Sequence, residues 1–216
     1  MKEDLAHKRP WLLVSLVFGL SYPLAAMWHV PEIFAVIWKM ASVGALVPYA
    51  LRRHHNGEFA MLAGVLGLCA LADGVLEFSL TAGGAIFAAA HLLAIALYAR
   101  HRRVKPVVSQ QALGVVVAIL TPIIAYLLAG AITAIYAVSL SIMAGMAWMS
   151  NFPRYRVGIG AMMFVASDLL VFWREGQGGQ FPAMAWVIWL LYYLGMVLIA
   201  TGIVQTLVKR GHFDDA

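Results

Sequence analysis

The chain is a succession of apolar runs, each long enough to cross a bilayer as a helix. A hydrocarbon core of ~30 Å needs roughly 20 apolar residues in a helical span. Backbone groups have no water to bond to there, so only helices or closed barrels can span it. The runs are continuous rather than alternating, which selects helices. With 63% hydrophobic and 12% charged residues, nearly the whole chain is assigned to spans, and no soluble domain of useful size is left over. The expected fold is all-α: one transmembrane domain over residues 1–216, eight helices in a single bundle. The spans fall at about 11–28, 31–51, 58–78, 83–100, 112–129, 132–150, 157–173 and 183–208, with Pro122 a kink site inside the fifth.

The first run also has the outline of a signal peptide, with Ala25-Ala26 as a cleavage site. Leu24 is a poor residue for such a cut and further spans follow, so a retained helix is expected.

Charge sets the orientation. Of the 15 Lys and Arg residues, Lys39 lies within a span and Arg174 in a loop on one side. All the others fall at the opposite ends of the spans: Lys2, Lys8, Arg9, Arg52, Arg53, Arg100, Arg102, Arg103, Lys105, Arg154, Arg156, Lys209 and Arg210. This bias predicts cytoplasmic N- and C-termini. It also accounts for the net charge of +5 without nucleic acid. A lipid-headgroup or partner role for these residues is secondary to orientation. On the other side the connections are short, except for the glycine-rich stretch from Arg174 to Pro182, read as a polar turn rather than a lid.

Ionisable residues inside spans are costly and point to function. Lys39 lies in span two, Asp73 and Glu77 in span three, His91 in span four and Asp168 in span seven, with Tyr192 and Tyr193 in span eight. Counted from the non-cytoplasmic ends, at a rise of ~1.5 Å per residue, Lys39, Asp73, His91, Asp168 and the tyrosines fall at similar depth. Glu77 lies nearer the surface, as a rim residue. One polar layer drawn from five helices predicts a cavity on the non-cytoplasmic side of the bundle. The plainer alternative is an ion pair in which Lys39 neutralises Asp73 or Asp168. Helical spacing puts Asp73 and Glu77 on one face. Gly84, Phe87, His91 and Tyr98 share another, and Gly160, Phe164 and Ser167 form a stripe beside Asp168.

Several chemistries are excluded by pattern. There is no nucleophile elbow, no H-E-x-x-H, no phosphate-cradling loop and no dinucleotide fingerprint. The lone Cys69 offers neither a disulfide nor a cysteine metal site. With His91 the only embedded histidine, and His54, His55 and His101 in cytoplasmic loops, no metal and no cofactor are expected. Carboxylate chemistry remains. In a cavity of low dielectric one aspartate can serve as an acid while the other stays charged.

Lys39, the Ala72-Asp73-Gly74-Val75-Leu76 stretch, Phe87 to His91 with Tyr98, Gly160 to Asp168, and Tyr192-Tyr193 occur in an order that resembles the YhhN-type lysoplasmalogenase family of eight-span membrane proteins. The chain departs from that pattern at Met40, where the family usually has proline, at Ala72, where it has glycine, and at Gly195-Met196, where it tends to carry glutamine. The resemblance implies hydrolysis of the vinyl ether bond of lysoplasmalogens in a bacterial inner membrane. Asp73 and Asp168 would then be catalytic, and Lys39, Glu77, His91, Ser167, Tyr192 and Tyr193 would bind or orient substrate. The partners would be a membrane lipid and water.

Two other readings stand beside it. A transporter is suggested by aspartates in spans three and seven, as in a parallel repeat. A lysolipid-binding protein without catalysis would need the same pocket.

Overall fold

The structure, a computed structural model, describes residues 2–28, 30–51, 57–178 and 183–211. Arg52, Arg53, His54 and His55 lie outside the described residues, as does the end of the Arg174–Pro182 turn. The same holds for the side chains of Lys2, Lys8 and Arg9. The described residues are almost all helical: α1 (Lys2–Met27), α2 (Glu32–Gly44), α3 (Leu46–Leu51), α4 (Gly57–Val75), α5 (Leu80–Arg100), α6 (Val108–Ala129), α7 (Ala131–Met149), α8 (Ile159–Gln177) and α9 (Met184–Gly211). A five-residue π-helical stretch, Arg154–Gly158, leads into α8.

Among the described residues, seven segments are long and apolar enough to cross a membrane, and α1 adds a shorter apolar one, Pro10–Ala25. The chain is therefore an integral membrane protein. The second span, Glu32–Leu51, is built from α2 and α3. Pro48 has no N–H to bond the Gly44 carbonyl, and the helix breaks between them at Ala45.

Contacts divide the chain into two compact units, Met1–Leu93 and Ala94–Ala216. In the first, α1 docks on α2 through polar bonds. Buried Ser15 donates to the Ser42 carbonyl at 2.5 Å, and Trp38 Nε1 donates to the Phe18 carbonyl at 3.0 Å. Where lipid is as apolar as the side chains, such bonds give register that burial alone cannot. Leu46, Leu62 and Leu66 are fully buried around α3 and α4.

The expected third span, 58–78, overshoots. α4 ends at Val75 and residues 76–78 form a turn. Ser79 then caps α5, its Oγ accepting from the Ala82 N–H at 3.2 Å. Leu76, Phe78 and Leu80 continue the apolar run through the turn, so hydropathy does not register the break. Glu77 consequently lies in the turn and not on the Asp73 helix.

In the second unit α6 and α7 form a hairpin around Gly130, whose φ of 87° suits glycine. α6 is inverted relative to a soluble helix. Gly114, Thr121 and Ala125 are buried, while Val115, Ile119, Ile123 and Leu127 are exposed. Small residues face protein and large ones face lipid. α8 and α9 cross where Gly160 meets Gly195. A Cβ on Gly160 would lie 2.6 Å from the Gly195 carbonyl oxygen, and one on Gly195 would lie 2.7 Å from that of Gly160. A glutamine side chain at 195 has no room there. The α8 helix runs beyond the expected 157–173 to Gln177, which puts Asp168 at its centre rather than near its end.

Candidate functional site

Each unit holds a polar cluster. In the first, α2 presents Lys39, and the α4–α5 turn presents Glu77. Lys39 Nζ donates to Glu77 Oε1 at 2.7 Å, with 14% of the lysine side chain and 42% of the glutamate exposed. The expected rim carboxylate is thus the direct partner of the embedded lysine. Asp73, in the last turn of α4, is 2% exposed and within electrostatic range of the Lys39 ammonium. The ammonium therefore bonds one carboxylate and feels the charge of a second.

A fourth group completes this cluster. Tyr22, on α1, lies within electrostatic range of Lys39, Glu77 and Asp73. It is brought there by the docking of α1 on α2, where Phe18, one turn earlier, packs edge-on against Trp38 with ring centroids 6.2 Å apart. Sequence reasoning missed Tyr22. A depth count applied to the first span would have found it, because Ser21-Tyr22 interrupts the apolar run in the half away from its N-terminal end. His91, in α5, is 2% exposed and its ring stacks on Phe87 with centroids 6.4 Å apart.

In the second unit Asp168 is held by α7. Tyr136 Oη donates to Asp168 Oδ2 at 2.7 Å. The Tyr136 ring is fixed in turn by Phe172, edge-on at 5.8 Å. Tyr136 was also missed, and its position near the start of the sixth span was the available signal. Ser167, expected to bind substrate, donates to the Ile188 carbonyl at 2.9 Å and so ties α8 to α9. Tyr192 and Tyr193 are both buried. Tyr192 meets Phe164 edge-on at 5.1 Å, and Tyr193 stacks on Trp189 at 5.8 Å.

Chemically, the first cluster pairs a cation with two carboxylates and a phenol, and the second a carboxylate with a phenol. Both can move protons or stabilise positive charge. Among the described residues no three His, Cys, Asp or Glu side chains are grouped as a metal site would require.

No curated protein and no solved structure matches the chain. A family model does, over residues 34–203. That stretch contains Lys39, Asp73, Glu77, His91 and Asp168 but not Tyr22, and since it covers most of the chain, the protein belongs to the YhhN family, the lysoplasmalogenase family.

Proposed function

We propose that the protein is a lysoplasmalogenase, a membrane hydrolase that cleaves the vinyl ether bond of a lysoplasmalogen. The observation that carries this reading is the family match, which spans the whole set of embedded carboxylates, Lys39 and His91. The two clusters suit the chemistry. Protonation of the vinyl β-carbon gives an oxocarbenium ion. Water adds to its α-carbon and loses a proton, and the resulting hemiacetal collapses to a fatty aldehyde and the glycerophospho-headgroup alcohol. The reaction requires a general acid, a negative charge beside the cation and a base for the water.

In this reading Asp73 and Asp168 divide those roles. Tyr136 holds Asp168, Lys39 with Glu77 sets the charge around Asp73, and His91, Tyr192 and Tyr193 orient water or substrate. The cytoplasmic termini and the non-cytoplasmic site read from loop charge belong to the same proposal, as does an inner bacterial membrane.

The test is mass spectrometry of lysoplasmalogen incubated with purified protein and with Asp73→Asn and Asp168→Asn. Aldehyde release by the wild type and its loss in both folded variants support the reading. Normal turnover in either variant overturns the division of roles. Intact lysolipid after long incubation, or solute uptake into vesicles without product, replaces hydrolysis with binding or transport.

A further inference from the structure

In the second unit, the loop after α5 and the loop after α7 lie side by side. Arg102 and Ser150 form an antiparallel bridge, and the Asn151 N–H donates to the His101 carbonyl at 2.7 Å. Three guanidiniums gather on this seam. Arg103 Nη2 donates to the Ser150 carbonyl at 3.2 Å. Arg210, from the end of α9, donates to the Asn151 carbonyl at 3.3 Å, meets His101 Nδ1 at 3.0 Å, and lies over the fully buried Phe152 ring at 5.7 Å.

The third is Arg154. The carboxamide of Gln110, 1% exposed, can be oriented so that one oxygen accepts from Arg154 Nη1 at 2.5 Å and from Arg103 Nη1 at 3.3 Å. Two like charges thus converge on one neutral buried acceptor. Among the described residues, no hydrogen bond of Arg103, Arg154 or Arg210 ends on a carboxylate. Orientation in a membrane requires basic residues at this end, but it does not require them to be drawn together. Like charges repel, and a fixed convergence of guanidinium forks without a carboxylate is the geometry that complements a phosphate.

The surroundings specify the source of that phosphate. Beside Arg103, Val104 is 90% and Val108 79% exposed; beside Arg154, Tyr155 is 73% exposed. A free phosphate needs no apolar margin. A lipid does, and a tyrosine next to basic residues is typical of the headgroup level. We infer that Arg103, Arg154 and Gln110, flanked by Arg210, form a binding site for the phosphate of an anionic phospholipid headgroup. The site is separate from the carboxylate clusters and does not rest on the proposed hydrolysis.

The experiment titrates the full-length protein in detergent with phosphatidylglycerol, phosphatidylcholine or inorganic phosphate, and counts retained lipid by native mass spectrometry. The wild type is expected to retain phosphatidylglycerol preferentially. Arg103→Gln/Arg154→Gln is expected to weaken that retention about tenfold. Lys105→Gln/Lys209→Gln removes the same charge from exposed positions and is expected to leave retention within about twofold. Equal losses in the two double variants, or equal retention of the two lipids by the wild type, overturn the site in favour of diffuse attraction. Saturation by inorganic phosphate with no further gain from lipid overturns the lipid as occupant. If the Arg double variant does not fold, Arg154→Gln alone carries the test, since Arg154 bonds the Gln110 side chain and none of the carbonyls that join the two loops. Unchanged retention in that variant overturns the proposal.

Discussion

Tyr136 donates its hydroxyl to Asp168 across α7 and α8 at 2.7 Å, and this bond fixes the orientation of the carboxylate. One oxygen of Asp168 accepts from the phenol and the other is left to point elsewhere. A hydrogen bond contributes roughly 0.5–1.5 kcal/mol, and up to about 3 kcal/mol where its acceptor is charged. If the bond positions Asp168 for reaction, Tyr136→Phe should lower kcat by about ten- to a hundredfold while KM changes little, because the ring and its contact with Phe172 remain. Steady-state aldehyde release checks this. An unchanged kcat would assign Tyr136 to packing.

Much of the fold was legible because hydropathy responds to the bilayer, which acts on the chain as a whole. Helix ends inside an apolar run were not. Leu76, Phe78 and Leu80 are as apolar as the helices they separate, so the turn holding Glu77 was hidden and Glu77 was placed on the helix of Asp73. The embedded charges were found because charge in hydrocarbon is rare. The tyrosines that answer them were passed over, since Tyr22 and Tyr136 carry no charge and their depth in the first and sixth spans was not set against that of the carboxylates. The plainer alternative for Lys39 was an ion pair with Asp73 or Asp168. Its ion pair is with Glu77, because the turn after α4 folds the glutamate back to it. The close approach of Gly160 and Gly195 also accounts for one departure from the family pattern, which sequence alone left without a cause.

Lys39 should matter to stability through Asp73 more than through Glu77. Glu77 is 42% exposed and can be solvated once its partner is removed, whereas Asp73 is 2% exposed. Lys39→Met leaves that buried carboxylate without the cation. Breaking a buried pair from one side costs about 3–5 kcal/mol, and the partial exposure of Lys39 places this case at or below the low end. The double variant Lys39→Met/Asp73→Asn should recover on the order of 2 kcal/mol of the loss, although both proteins should be inactive. Denaturant melting of the two variants in the same detergent reads the difference. A double variant no more stable than the single one would show that Asp73 does not depend on Lys39.

Tyr22 lies outside the family-matched residues 34–203, yet it is within electrostatic range of Lys39, Asp73 and Glu77. Tyr22→Phe removes one hydroxyl and preserves the ring. The expected result is a fall in turnover of about tenfold with the melting temperature held within a few degrees. Ser15→Ala is the control on α1. It removes the bond to the Ser42 carbonyl and should lower stability by about 0.6–1.7 kcal/mol with little effect on turnover. Equal turnover in Tyr22→Phe and wild type would place α1 outside the site.

The crossing of α8 and α9 is the mechanical support of Asp168, Ser167 and Tyr192, and it depends on the absence of a Cβ. Gly160→Ala would place a carbon 2.6 Å from the Gly195 carbonyl oxygen, which is backbone and cannot rotate away. The helices must separate. Overpacking of this kind costs typically 1–3 kcal/mol, and the displacement should also strain the Ser167 bond to the Ile188 carbonyl two turns along the same interface. Stability and turnover should therefore fall together in Gly160→Ala. Gly211→Ala has open space around the new carbon and should leave both unchanged. Melting curves and aldehyde release on the two variants decide it: a fully active, fully stable Gly160→Ala protein would mean that the two helices are not held at this distance.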